Sequence, residues 1–268
     1  MDARSFLGIT PVDVALRWRL EVTEEVSTPG KFLYGGCALG AGLVALEHAS
    51  GRSTAWATAQ YLSFAETGTT LDLDVTLAVS GKGVTQGRAV GRVGGREILT
   101  VNAALGQGQL QIEGTWVEPP DVAPPLSCPE RQLPAMFGNS VLNRVEVRTA
   151  SGRMMDALDG TPGTGSSSFW ARVPGHLEPS AATLAIIGDY VSGGVSEPLG
   201  LRTMGRSLDN TIRVARLVPT EWILCDIRMQ ALARGFAHGL AYLWSEDRVL
   251  LAIASQTLSV RLWPPGVA

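Results

Sequence analysis

Residues 71–105, LDLDVTLAVSGKGVTQGRAVGRVGGREILTVNAAL, hold three alternating apolar runs separated by a glycine-rich turn and by the Gly94-Gly95 hairpin signal. Successive side chains on a strand point to opposite faces, so such runs predict strands with one face buried, and paired glycines tolerate the positive φ of a tight hairpin. Three antiparallel strands are expected. Residues 222–260 repeat the order as WILCDIRMQA, GFAHGLAYLW and VLLAIASQTLSV, with Ser245-Glu246-Asp247 in place of the Gly94-Gly95 turn. The offset, about 150 residues, marks an internal duplication.

Upstream of each triplet one helix is expected. In GGCALGAGLVALEHASG, 35–51, Leu39, Leu43 and Leu46 fall at i, i+4 and i+7, and Gly51 ends the pattern. In PSAATLAIIGDYVSGG, 179–194, Ser180 is a good N-cap and Gly193-Gly194 a stop. An earlier alternating segment also recurs, VALRWRLEV at 14–22 and VLNRVEVR at 141–148. Each half therefore reads strand, helix, then several long antiparallel strands, an α+β arrangement. Gly36, Ala38, Gly40, Ala41, Gly42 and Ala45 would let a curved sheet wrap closely around the first helix. Six of the fifteen prolines fall within 118–138, where missing N–H donors and restricted neighbours prevent a regular element. The expected division is an N-terminal unit, 1–117, a Pro-rich linker, 118–137, and a C-terminal unit, 138–268.

The 268 residues suffice for a real core, and 45% hydrophobic against 18% charged residues excludes disorder as the main state. A net charge of −3 leaves no basic footprint for nucleic acid or an anionic membrane. Lys31 and Lys82 are the only lysines, which leaves two positions for any Schiff-base or phosphate-loop lysine. Cys37, Cys128 and Cys225 lie far apart, so neither a CxxC metal site nor a disulfide scaffold is expected. No apolar run approaches 18 residues and no signal segment is recognisable at the start, so a soluble, cytoplasmic chain without membrane insertion is expected. Exposed sheet edges predict a homo-oligomer.

One charge, Asp189, interrupts the apolar second helix. Burying a lone carboxylate costs several kcal/mol, so Asp189 is either paired, near the mouth of a site, or turned to solvent as the helix ends. In RSLDNTIRV, 206–214, alternation puts Ser207, Asp209 and Thr211 on one polar strand face, which is either solvent-exposed or lines a cleft. Gln256 is an amide within the apolar run LLAIASQTLSV, either an ordinary exposed position or a side chain that holds a water or a carbonyl. No GxSxG elbow is present, and His48, His176 and His238 sit in no acid–base or metal spacing. The stretch GTPGTGSSS, 160–168, imitates a phosphate loop but lacks its lysine and reads as an ordinary loop.

FLYGGCALGAGLVA, SLDNTIR followed by PTEWIL, and RGFAHGLAYLWSEDRVLLAIASQ together resemble the thioesterase II family of acyl-CoA thioesterases, over nearly the whole chain. The resemblance implies a double hotdog, two repeats each with a long antiparallel sheet around a central helix, that hydrolyses acyl-CoA without metal or cofactor. It also implies a water held by an Asp, a Thr or Ser and a Gln, roles that fall on Asp189, Ser207 and Gln256, with Asp209 or Thr211 able to share the hydroxyl's place. A member of that family carries Thr where this chain has Ser207, and Ser keeps the hydroxyl. Oxyanion donors are expected from backbone N–H groups around Gly36 and Cys37. Ala104 falls opposite Gln256 at an offset of 152, and the first helix carries no Asp between Gly36 and Ala45, so one site per chain follows. The competing readings are a hotdog that binds an acyl ligand without turnover, and a hydratase that would need His48 beside Glu47, two residues that do not share a helix face.

Overall fold

In a computed structural model of the chain, which describes residues 1–153, 157–175 and 177–263, helix α1 (Ala3–Leu7) leads into strands β1 (Thr10–Pro11) and β2 (Arg17–Glu21). Helix α2 (Gly35–Ser50) follows, then β3 (Thr54–Tyr61), β4 (Thr70–Ser80), β5 (Val84–Val93) and β6 (Arg96–Gly106). The second half runs α3 (Val141–Arg144), β7 (Glu146–Ser151), β8 (Ser166–Arg172), α4 (Ala181–Gly188), α5 (Ser196–Leu199), β9 (Thr203–Ser207) and β10 (Asp209–Val214). It ends in β11 (Ile223–Ala233), β12 (Phe236–Ser245) and β13 (Leu250–Leu262). Both alternating triplets thus form the hairpin-connected strands their patterns require.

All described strands join one antiparallel sheet, ordered β1-β2-β4-β5-β6-β3-β10-β13-β12-β11-β8-β7, with β9 paired to β13. The order reads outward from the β3–β10 pair in both directions, so the duplication in sequence becomes a two-fold-like repeat in space. At that seam Thr58 lies opposite Thr211, with their hydroxyls 2.8 Å apart. Helices α2 and α4 pack on the sheet and against each other, and Leu39, Leu43, Leu46, Leu184 and Ile186 join Leu20, Leu71, Leu73, Leu99 and Leu105 in a core common to both halves. Close approach needs small residues. A Cβ at Gly42 would stand 2.8 Å from Val101 Cγ2, and one at Gly36 would stand 2.8 Å from the Ala185 carbonyl oxygen and the Ile186 Cα.

The structure corrects two sequence expectations. The counterpart of β2 is β8, paired to β11 as β2 is to β4, while 141–148 supplies a helical turn and an outer edge strand. Strand β8 gives no clean alternation because the sheet here is covered on both faces. The second helix ends at Gly188, and Asp189–Val195 continues as 3-10 turns. Between the halves, much of the proline-rich stretch lies across the outer face of the second half. Val117, Val122 and Cys128 join Trp170, Trp222, Leu224, Trp244 and Leu250 in a second apolar cluster, and Trp170 Nε1 donates to the Ala123 carbonyl at 2.9 Å. In the first half the outer face is polar, with Arg17 and Arg92 on Asp74 and Arg19 on Asp72, and carries no such strap among the described residues. No described helix is long and apolar enough to cross a membrane.

Candidate active site

Asp189 stands where α4 changes to 3-10 geometry and is 3% exposed. Three donors reach its carboxylate: the Gly36 N–H donates to Oδ2 at 2.7 Å, Asn210 Nδ2 donates to Oδ1 at 3.0 Å, and Gln256 Nε2 also donates to Oδ1. Burial nevertheless dominates and raises the Asp189 pKa to about 7, against the opposing pull of these hydrogen bonds. The Tyr34 hydroxyl is near enough to oppose that rise as well, yet it forms no hydrogen bond of acceptable geometry. Three buried polar atoms around the carboxylate therefore lack partners: Tyr34 Oη, Asn210 Oδ1 and Gln256 Oε1. Since buried polar groups are almost always satisfied, such a cluster marks a place for a water or a polar ligand.

The duplication relates the residues around the carboxylate to positions in the first half. Gly36 and Asp189 are 153 residues apart, as are the paired Thr58 and Thr211. Ala57 lies opposite Ala103 on β3 and β6, and the register Thr211 to Ser255 places Asn210 opposite Gln256. At one and the same offset Asp189, Asn210 and Gln256 thus correspond to Gly36, Ala57 and Ala103. The first-half equivalent of Gln256 is Ala103, which is buried, and not Ala104, whose side chain points to the other face. Only one set carries polar groups.

Of the residues singled out in the sequence, the structure unites Asp189, Gln256 and the Gly36 amide. Ser207 lies opposite Leu258 and so shares the inward face with Gln256 as its diagonal neighbour, at a Cβ separation of about 7 Å. Its hydroxyl makes no hydrogen bond to Asp189, and none among the described residues. Asp209 and Thr211 point the other way. Asp209 Oδ1 accepts the Thr257 N–H at 2.7 Å, and Thr211 is engaged with Thr58, so both belong to the strand seam and not to the pocket of Asp189. The inward residue between them is Asn210, which sequence reading missed by following the polar face of the alternation. Gly36 spends its N–H on Asp189, which removes it from the expected oxyanion pair. Cys37 keeps an N–H at the start of α2 that no intrahelical carbonyl can reach, and burial pushes its thiol pKa up, away from nucleophile chemistry.

No histidine approaches the carboxylate among the described residues. His48 packs edge-on to Trp18, twelve residues along α2 from Gly36, a distance of about 18 Å at 1.5 Å per residue. Glu47 accepts the Thr54 N–H and His238 contacts Thr257 at 3.3 Å. His176 lies outside the described residues. The hydratase arrangement therefore has no histidine beside Asp189 in the described structure.

The architecture, two helix-wrapped repeats joined in one sheet, is the double hotdog. It is shared with a protein of unknown function with a hot dog fold from Alicyclobacillus acidocaldarius, 17% identical, covering 98% of each chain with a TM-score of 0.83. It is shared too with the acyl-CoA thioesterase II TesB2 of Mycobacterium marinum, 19% identical, covering 99% of this chain and 100% of that one, with a TM-score of 0.76. A protein of Novosphingobium aromaticivorans DSM 12444, assigned as a thioesterase, is 30% identical over 93% of this chain and 97% of its own, with a TM-score of 0.83. The family model for the acyl-CoA thioesterase C-terminal domain matches residues 120–260. The chain belongs to the acyl-CoA thioesterase family. No curated protein matches the sequence.

Proposed function

We propose that the chain hydrolyses acyl-CoA to a free carboxylic acid and CoA at a single site centred on Asp189. The observation that carries this reading is the enclosed carboxylate, raised to about 7, ringed by unpaired polar atoms on Asn210 and Gln256. A water there donates one proton toward Asp189 and the other to the Gln256 amide oxygen, and accepts from the Ser207 hydroxyl on the same face. A thioester carbonyl is electrophilic and its thiolate leaves readily, so an aligned water needs no covalent intermediate. The water oxygen attacks the carbonyl carbon as Asp189 takes its proton. The carbonyl oxygen becomes an oxyanion, toward which the Cys37 N–H supplies one donor. Collapse breaks the C–S bond, and the proton held by Asp189 goes to the departing thiolate.

The same reading divides the chain into halves 1–117 and 138–268 around the 118–137 segment, with the first half's Gly36, Ala57 and Ala103 as the vestige of a second site. The test is thiol release from a panel of acyl-CoA chain lengths by the wild-type chain and by Asp189→Asn. Turnover of at least one acyl-CoA, lowered by about 10²-fold or more in Asp189→Asn, is expected. Affinity for acyl-CoA without thiol release at any length would instead establish a binder, and wild-type turnover in Asp189→Asn would remove Asp189 from the role of base.

A further inference from the structure

The geometry points to Tyr34 as a catalytic residue of this site, its hydroxyl donating to the thioester carbonyl oxygen as that oxygen becomes negative; this assignment rests on the hydrolytic reading above. Tyr34 is 7% exposed, and its Oη lies beside the Asp189 carboxylate without forming a hydrogen bond of acceptable geometry. Of the three unpaired atoms beside Asp189, Asn210 Oδ1 and Gln256 Oε1 can only accept, whereas Tyr34 Oη carries a proton to give. Acceptors suit the water and a donor suits the oxyanion. The division of labour follows from the atoms themselves.

Packing fixes the ring while leaving the hydroxyl without a hydrogen bond of acceptable geometry. Tyr34 is the N-cap residue of α2, but its side chain makes no capping hydrogen bond. The ring meets Tyr190 edge-on at 6.2 Å between centroids. Tyr190 is in turn held by Phe169, 5.2 Å away, and by the Arg131 guanidinium over its face at 5.4 Å. Tyr61, the other tyrosine close to Asp189, already donates to the Gly35 carbonyl at 2.7 Å and is not available in the same way. Burial and the charge of Asp189 both push the Tyr34 pKa up, so the phenol keeps its proton whatever the state of the base. A buried hydroxyl without a well-formed hydrogen bond gains one when a carbonyl oxygen is bound beside it. A rigid donor aimed at developing charge needs little reorganisation during the reaction.

In the step proposed, the water oxygen bonds to the carbonyl carbon, its proton passes to Asp189, and the carbonyl π pair moves onto oxygen. Tyr34 Oη and the Cys37 N–H hydrogen-bond that oxygen, and Tyr34 keeps its proton throughout. The pair returns as the C–S bond breaks, and the thiolate takes the proton from Asp189.

The test is Tyr34→Phe in the full chain, with the acyl-CoA that the wild type turns over fastest. We expect kcat to fall about 10²-fold, KM to change less than about threefold, and the thermal midpoint to stay equal or rise. A trifluoromethyl ketone analogue of acyl-CoA, which adds water to form a tetrahedral adduct, should lose affinity by a comparable factor, while a thioether analogue lacking the carbonyl should bind unchanged. A kcat within about threefold of wild type, parallel losses for both analogues, or a Tyr34→Phe chain that fails to fold would each overturn the assignment, because an unpartnered hydroxyl carries no bond that holds the fold. A wild-type chain that releases no thiol from any acyl-CoA overturns the hydrolytic reading and this assignment together. An effect missing in Tyr34→Phe alone overturns only the assignment.

Discussion

Asp189 has a folded-state pKa of about 7 against an ordinary value of 3.8, with burial as the largest cause. Two pH dependences follow. As a base it works only when ionised, so kcat/KM should climb about tenfold per pH unit below 7 and level off above it, a limb that rate profiles of Asp189→Asn should lack. For stability the direction is opposite. Between about pH 4 and 7 the folded chain keeps a proton on Asp189 that the unfolded chain has released, so stability contributed here falls as pH rises through that window. Asp189→Asn abolishes the fall. Its carbonyl still accepts the Gly36 N–H, and the amides of Asn210 and Gln256 can turn to accept its NH₂. Thermal midpoints of the two chains, compared from pH 5 to 8, should therefore diverge in favour of Asp189→Asn; a gap that narrows with pH would contradict the raised pKa.

At the scale of elements, the crossing of α2 and α4 positions the base. The glycines of α2 lower its helix propensity by about 1 kcal/mol each relative to alanine, and burial of the helix outweighs that cost. At Gly36 the need is steric, because an added Cβ would stand 2.8 Å from backbone atoms of α4 and 2.9 Å from the Asp189 Cβ. Gly36→Ala should cost about 1–3 kcal/mol by overpacking and depress kcat further by displacing the carboxylate. Gly193→Ala, around which nothing lies within 4 Å, is the control and should leave the urea midpoint nearly unchanged. Equal midpoints for the two variants would argue that the helices can part freely.

In the whole molecule, the proline-rich stretch covers three tryptophans on the outer face, while the candidate site lies on the inner face at the junction of the halves. Trp170→Phe removes the hydrogen bond to Ala123 and should cost about 1 kcal/mol in urea unfolding, increase proteolysis within 117–128, and leave kcat unaltered. A large loss of turnover would show that the strap communicates with the site. The strap was legible only as a break in regular structure, because proline content reports the absence of ladder hydrogen bonds and says nothing about which surface the chain crosses.

The duplicated alternation at 71–105 and 222–260, and the small-residue helix at 35–51, determined the two repeats because strand and helix periodicities are local properties of the chain. Asp189 and Gln256 were legible for a related reason: a polar residue in an apolar run is costly wherever the run is buried. Asn210, Tyr34 and the correspondence of Gln256 with Ala103 were decided only by tertiary structure. Asn210 sits in a polar stretch where its inward direction depends on register, and a one-residue slip exchanges the faces of a strand. Tyr34 lies 155 residues before Asp189, and no local pattern records that its hydroxyl is left without a partner when the two helices close against each other.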